Sequence, residues 1–242
     1  MAFECVSRTH VGLRRAINED SLLVRADRGL LAVADGMGGH DAGEVASSKV
    51  TEALQQLPVV YGLDELVDTA SEALKKVNRE LIRLAASPDG NRTIGSTVVG
   101  LALADRKFGC FWAGDSRAYR LRAGRIEQLT RDHSLVQSLV DAGMLEPAGM
   151  EDHPQANIVT RAVGAADELQ VDRVSGDALP GDRFLLASDG LTRMVRDEEL
   201  LAELGSRPAE EAADRLIDLV LARGAPDNVS FIIASILETP SR

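Results

Sequence analysis

The sequence predicts an α+β domain in which two mostly antiparallel β-sheets pack face to face and helices cover their outer faces. Strand-like runs occur along the whole chain, and several are joined by short turns, as at 104–107 and 123–125. Short connections make neighbouring strands antiparallel. Helical periodicity is concentrated in two blocks, which favours helices segregated onto sheet faces. The strand-like runs are 2–9, 21–26, 30–34, 95–104, 107–113, 118–122, 125–129, 168–174, 182–187 and 229–237.

Helices are predicted where apolar residues are spaced three and four apart. Asp64 is a candidate N-cap for the longest of them, and Gly205 and Gly224 follow the two late ones. Each block of helices is expected to cover one outer sheet face. The predicted helices are 44–57, 64–85, 134–142, 197–204 and 208–223.

Composition excludes several classes of function. The chain has 242 residues, of which 45% are apolar and only 3% aromatic, so its core is aliphatic. A formal net charge of −11 disfavours binding to nucleic acid or to an anionic membrane surface. The N-terminus does not resemble a signal peptide, and Cys5 and Cys110 are expected to be free thiols in a reducing compartment. We therefore expect a cytoplasmic monomer with no membrane partner.

Acidic residues recur where strand-like runs begin or end. At 30–44, an apolar run ends in Asp35 and is followed by three glycines in four positions. At 183–191, a second apolar run is again followed by Asp-Gly. A carboxylate beside a buried strand is costly unless it is compensated, and converging carboxylates repel one another. The acids at strand ends are Glu19, Asp20, Asp35, Asp115, Asp189 and Asp227.

Metal cations would compensate such a group. The histidines His10, His40, His133 and His153 are scattered and no CxxC pair occurs, so a zinc-type cluster is not predicted. Aspartate oxygens and a backbone carbonyl exposed at a glycine suit Mg²⁺ or Mn²⁺, and two such ions can activate a water and neutralise a phosphoryl group. From the residues alone, each acid could equally be a turn residue or a strand-end cap.

Five segments of the sequence form a specific set, although none is specific alone. They are "GLRRAINED" (12–20), "VADGMGGH" (33–40), "AGDSRAY" (113–119), "LLASDGL" (185–191) and "GAPDNVS" (224–230). In order and spacing they resemble the PPM family, the metal-dependent type 2C serine/threonine protein phosphatases, in its compact bacterial form. The resemblance implies a four-layer α-β-β-α sandwich and one catalytic domain over 1–242, with a flap at about 134–162. It also implies hydrolysis of phosphoserine and phosphothreonine by a binuclear Mn²⁺ or Mg²⁺ centre, with a metal-bridging water as nucleophile.

The resemblance assigns the metal ligands residue by residue. Asp35 would bridge both ions, and Gly36 would offer its carbonyl. Asp189 and Asp227 would hold the second ion. Asp115, together with Asp189, matches a third and weaker metal site of bacterial members.

The remaining assignments surround this centre. Glu19 and Asp20 would act mostly through metal-bound waters, with Asn228 beside them. Arg15 matches the arginine that grips the substrate phosphate, because its planar fork can meet two phosphate oxygens. Outside this family a surface ion pair would be the expected role for Arg15.

One departure from the family concerns the general acid. Many eukaryotic members place a histidine directly after the metal-ligand glycine, where this chain has Met37. His40, three residues further on, would either donate a proton to the leaving serine alkoxide or orient a water. Residues 143–162 lack periodicity and, as part of the flap, are expected to contact substrate.

The expected partners are phosphorylated proteins, together with a serine/threonine kinase or a forkhead-associated protein of the same pathway. Three other readings remain. The first is a phosphatase of an anti-sigma antagonist. The second is a non-catalytic phosphoprotein-binding module, which predicts lost metal ligands, whereas none is lost. The third is a phosphodiesterase acting on nucleic acid, which the charge of −11 disfavours.

Overall fold

The computed structural model of the chain describes residues 1–38, 42–86, 94–150 and 153–238. Its strands are β1 (Phe3–His10), β2 (Asp20–Arg25), β3 (Leu30–Gly38), β4 (Ile94–Ser96), β5 (Val98–Ala104), β6 (Lys107–Ala113), β7 (Arg117–Arg122), β8 (Arg125–Gln128), β9 (Asp172–Asp177), β10 (Arg183–Ala187) and β11 (Val229–Ile236). Its helices are α1 (Ala42–Gln55), α2 (Leu63–Ala85), α3 (Leu135–Asp141), α4 (Asp189–Thr192), α5 (Asp197–Ser206) and α6 (Ala209–Ala222).

Two antiparallel sheets form the centre of the molecule. The five-stranded sheet has the order β1-β11-β10-β7-β8. The six-stranded sheet has the order β2-β3-β5-β6-β9, and β4 pairs with the end of β3. All of these pairings are antiparallel, as the short connections predicted.

Three apolar cores separate four layers. The first lies between helices α1 and α2 and the outer face of the six-stranded sheet, and the second lies between the late helices and the outer face of the five-stranded sheet. The third lies between the two sheets and contains side chains such as Val99, Leu101 and Ile232. Residues 98–103 are buried throughout, since β5 is covered on both faces. The predicted α-β-β-α sandwich is confirmed.

Three strand predictions need correction. The strand predicted at 30–34 continues to Gly38, because β4 supplies a partner for Gly36, Met37 and Gly38. The strand predicted at 95–104 is interrupted at Thr97. The strand predicted at 168–174 lies instead at 172–177, where it pairs with β6. The apolar residues that misled the prediction, Leu169 and Val171, pack against the helix-covered core without forming a strand.

The helix boundaries agree with prediction to within a few residues. Asp64 is not an N-cap: α2 begins at Leu63 after Gly62, and Asp64 lies in its first turn, where a negative charge is favourable. The short helix α4 was not predicted. Cys5 and Cys110 are free, as expected, and Cys110 is buried. Among the helices in the described ranges, none is long and apolar enough to cross a membrane.

Candidate active site

The acids at the strand ends converge on one cleft between the two sheets. Asp35 lies in β3, directly opposite Asp20 in β2. Asp115 follows β6, Asp189 begins α4 after β10, and Asp227 precedes β11. The cleft has a volume of about 700 Å³, and its walls include Asp35, Asp115, Asp189 and Asp227. The convergence expected from the sequence is therefore present.

Glycines bring backbone close to the floor of this cleft. A Cβ added at Gly36 would lie 2.0 Å from the carbonyl oxygen of Gly43 and 2.6 Å from that of Glu19. A Cβ added at Gly43 would lie 2.2 Å from Oε1 of Glu19. Glycine is required at both positions because the start of α1, the end of β3 and the Glu19 segment meet without room for a side chain. The glycine after Asp35 thus serves a close approach of backbones rather than a turn.

Thr97 fixes the backbone of Asp35 from the interruption between β4 and β5. Its N–H donates to the carbonyl of Asp35 at 2.8 Å, and its hydroxyl accepts from the N–H of Asp35 at 3.1 Å. The same hydroxyl is 2.7 Å from that of Ser116. A Cβ at Gly114, whose φ is +125°, would lie 2.5 Å from Cβ of Thr97. One buried threonine therefore connects the segments that carry Asp35 and Asp115.

Asp20 has an incompletely satisfied carboxylate. The hydroxyl of Ser188 donates to its Oδ2 at 3.0 Å. Its Oδ1 is buried and has no hydrogen-bond partner. A buried oxygen without a partner carries a desolvation penalty, so this atom is a place where a cation or its bound water would stabilise the fold.

Burial and mutual repulsion raise the pKa of these carboxyl groups. The pKa of Asp35 lies well above its ordinary 3.8, first because of desolvation and then because of Asp189 and Asp20. Desolvation is also the main cause for Asp20 and Asp115, which both rise to a pKa of about 7. The pKa of Asp189 is also raised, first by desolvation, while the neighbouring Arg193 opposes the shift. The folded protein thus binds protons that the unfolded chain releases, so without cations stability falls as the pH rises from 3.8 toward 7.

Two arginines pair with the outer members of the cluster. Arg15 donates to Oδ2 of Asp227 at 2.7 Å, from a side chain that is 50% exposed. Arg193 lies 3.0 Å from Oδ2 of Asp189 and 3.2 Å from Oδ2 of Asp115. Arg193 was not singled out from the sequence. Its position four residues after Asp189 on a helical turn is the signal that could have found it.

Asn228 holds the segment that carries Arg15. Its side-chain amide donates to the carbonyls of Val11 and Ile17 at 2.8 and 3.0 Å. Its side-chain oxygen accepts from the N–H of Glu19 at 2.8 Å. These contacts position the Arg15 segment and Glu19 beside Asp227, so Asn228 organises the rim of the cleft.

The donors of this cleft are oxygen atoms of the kind that hold divalent cations. In the ranges that the structure describes, no three Asp, Glu, His or Cys side chains already form a closed ligand set. Asp227 is paired with Arg15 at the rim of the cleft. The unsatisfied Oδ1 of Asp20 and the raised pKa values of Asp35 and Asp189 are what a carboxylate cluster shows when its counter-charge is missing. The donors are all oxygen, which suits Mn²⁺ or Mg²⁺.

A second polar network, centred on His133, was also missed by the sequence analysis. Its Nδ1 accepts from the N–H of Gly114 at 3.1 Å, and Nη1 of Arg161 lies 2.9 Å from its Nε2. Nε2 lies 3.2 Å from Oδ2 of Asp172, and Arg161 donates to the other oxygen of Asp172 at 2.6 Å. The ring also stacks on Trp112 at 6.1 Å. His133 thereby joins the residue before Asp115 to the flap, where the N–H of Thr160 donates to the carbonyl of His133 at 2.8 Å.

The described flap residues pass alongside the cleft, with Asn157, Ile158 and Val159 in its wall. The flap contains α3 and a short 3₁₀ turn at Pro147–Gly149. Met37 also lines the cleft. His40 lies outside the described residues, so its role remains an expectation from the sequence.

The chain is similar to proteins of known family and structure. A family model described as protein phosphatase 2C matches residues 10–222. The serine/threonine protein phosphatase PstP of Mycobacterium tuberculosis is 39% identical over 232 residues, which cover 96% of this chain and 45% of PstP. PppA, a key regulatory component of T6SS in Pseudomonas aeruginosa, has a solved structure with a TM-score of 0.90 and 40% identity, covering 97% of this chain and 98% of that chain. A crystal structure of the catalytic domain of PstP in complex with two manganese ions has a TM-score of 0.87 and 36% identity, covering 98% of this chain and 99% of that one.

The sandwich and its acidic cleft are those of a protein phosphatase 2C, and the chain belongs to this family. The family predicted from the five sequence segments is therefore confirmed. The chain spans 45% of the length of its relative PstP.

The His133 network generates a prediction about pH. Burial is the first cause that lowers the pKa of His133 below 6.5, and Arg161 adds to it, while Asp172 and Asp132 oppose it. As the pH falls, His133 is therefore protonated in the unfolded chain before it is protonated in the folded protein. The network loses stability as the pH falls below 6.5. In His133→Asn, the side-chain oxygen can still accept from Gly114 but cannot be protonated. Urea unfolding at about pH 7.5 and about pH 5.5, on either side of the ordinary histidine pKa, should show a smaller acid-induced loss of stability in the variant. An equal loss in both proteins would contradict this role.

Proposed function

We propose that the protein is a metal-dependent phosphatase that hydrolyses phosphoserine and phosphothreonine on proteins. The observation that carries the proposal is the convergence of Asp35, Asp189 and Asp227 in one cleft with Arg15 at its rim. Support also comes from the family and from PstP, whose catalytic domain has been crystallised with two manganese ions.

Each residue has a role that follows from its place. Asp35 would bridge two cations, with the Gly36 carbonyl beside it, while Asp189 and Asp227 complete the ligands. Asp20 and Glu19 would accept hydrogen bonds from waters around the ions. Asp115, which the family resemblance assigns to a third and weaker site, is left out of the two-ion set and pairs with Arg193.

Bound Mn²⁺ or Mg²⁺ would supply the neutralisation of phosphoryl charge and an activated water as nucleophile. The protein's own contribution is to bind and orient the phosphate. Arg15 is exposed and makes one bond to Asp227, so it can turn its second N–H group toward a phosphate oxygen. As the bond between phosphorus and the serine or threonine oxygen breaks, that oxygen takes a proton, from His40 or from water.

The proposed biological setting is reversal of phosphorylation by a bacterial serine/threonine kinase. Phosphoproteins are the substrates, and a kinase or a forkhead-associated protein is the pathway partner. A non-catalytic phosphoprotein-binding module is disfavoured, because every acid expected to hold the two ions lines the cleft. Phosphoproteome comparison with and without the protein would identify the substrates.

Removal of the metal or of a core ligand tests the chemistry. Hydrolysis of p-nitrophenyl phosphate and of a phosphothreonine peptide should require Mn²⁺ or Mg²⁺ and stop in excess EDTA. Asp189→Asn should lower kcat by roughly a hundredfold or more, because several kcal/mol of charge stabilisation are lost. Asp68→Asn is the matched control, since Asp68 is an exposed partner of Arg173 and does not line the cleft. Full turnover in EDTA, or equal kcat in both variants, would contradict the proposal.

Arg15 generates a separate prediction about substrate binding. Arg15→Ala should raise KM for a phosphopeptide, while Mn²⁺ affinity persists or increases because Asp227 is released from its ion pair. Arg14→Ala, at the neighbouring position, serves as the control for loss of a positive charge. An unchanged KM together with weaker Mn²⁺ binding would show that Arg15 supports the metal site rather than the phosphate.

A further inference from the structure

Arg193 occupies the place between Asp115 and Asp189 where the family resemblance led us to expect a third metal ion. Its Nε lies 3.0 Å from Oδ2 of Asp189. Its Nη2 donates to Oδ2 of Asp115 at 3.2 Å and to the carbonyl of Ala156, in the flap, also at 3.2 Å. One guanidinium therefore connects the two acids and the flap.

A third ion and this guanidinium would compete for the same two carboxylates. An ion shared by Asp115 and Asp189 needs a carboxylate oxygen from each, and Arg193 already contacts Oδ2 of both. Two cations at that position would repel each other strongly, because Asp115 is 5% exposed and little solvent screens the site. The residues of this chain thus do not fit a third ion while Arg193 is present.

Arg193 differs from Arg15 in how firmly it is held. Arg15 makes a single bond to one acid from a half-exposed side chain. Arg193 is 33% exposed and has acceptors in three separate parts of the chain. It also lies one helical turn after Asp189, so the backbone itself directs it toward that carboxylate. A phosphate can draw Arg15 away, whereas Arg193 is a fixed part of the site.

We propose that Arg193 is a built-in cation that takes the place of a third metal ion at Asp115 and Asp189. It positions Asp189 for the two-ion centre and ties the flap to that centre through Ala156. The inference rests on the two-ion centre of the proposed function. An arginine cannot be removed by chelators or dilution, so the charge at this position is permanent, in contrast to a weakly bound ion.

The number of bound Mn²⁺ ions tests this directly. Calorimetry and metal analysis of the wild type should give two ions per chain. Arg193→Ala should gain one further, weaker ion, because Asp115 and Asp189 lose their cation. Arg193→Lys, which keeps a positive charge, should not gain it, and neither should the double variant Arg193→Ala/Asp115→Asn. Arg223→Ala, which removes a cation that pairs with Glu199 instead, is the matched control and should stay at two.

The difference of one bound Mn²⁺ between Arg193→Ala and the wild type tests the inference separately from the two-ion centre. A wild type with fewer than two bound ions would overturn the proposed function. The difference in ion count between Arg193→Ala and the wild type would still test whether Arg193 takes the place of an ion. Three ions in the wild type, or no gain in a folded Arg193→Ala, would overturn the inference. If that variant does not fold, Asp115→Asn in the wild-type background decides: an unchanged Mn²⁺ count supports the inference and the loss of one ion overturns it. Hydrogen exchange at 156–158 should also become faster in Arg193→Ala.

Discussion

Repulsion among buried and partly buried carboxylates is the constraint on which the rest of this structure depends. Asp20, Asp35, Asp115 and Asp189 come together between two sheets, where desolvation and mutual charge raise the pKa of each one. Such a group opposes folding unless positive charge is placed inside it. The positive charge has two sources in this protein. Arginines supply it at the edges, and the oxygen donors at the centre fit divalent cations.

The sandwich is what holds this repelling group together. The acids are carried by β2, β3 and α4 and by the segments beside β6 and β11, and the strands are fixed by pairing and by an apolar core between the sheets. Close contacts of Gly36, Gly43 and Gly114 with neighbouring segments keep the parts of the chain that carry the acids close together. A rigid frame of this kind keeps ligands in place before the cations arrive, which is the arrangement that a preorganised catalytic site requires.

The sequence predicted the layers of the fold and the acids that line the cleft, because both depend on strong local patterns. Apolar runs that end in acid predicted the acids that meet in the cleft, and short turns predicted the antiparallel sheets. Local patterns could not predict where strands begin and end, because this depends on which segments lie beside each other in the fold. Gly36 continues a strand because β4 lies beside it, and Leu169 is buried without belonging to a strand. The contacts of Arg193 and His133 were not predicted, because the sequence does not show which backbone group or carboxylate an arginine or histidine side chain will contact. The close approach of α1 to β3, where Gly43 lies against Gly36, could not be predicted from the sequence either.

The most direct test is the melting temperature of the wild type and of Asp35→Asn, each measured in EDTA and with Mn²⁺. If the central carboxylates oppose folding until cations compensate them, Mn²⁺ should raise the melting temperature of the wild type. Asp35→Asn should melt above the wild type in EDTA, because the folded chain no longer has to hold a repelling charge or bind a proton at that position. The variant should also gain little from Mn²⁺. An Asp35→Asn protein that melts below the wild type in EDTA and responds to Mn²⁺ as strongly would contradict the claim that these carboxylates require a cation.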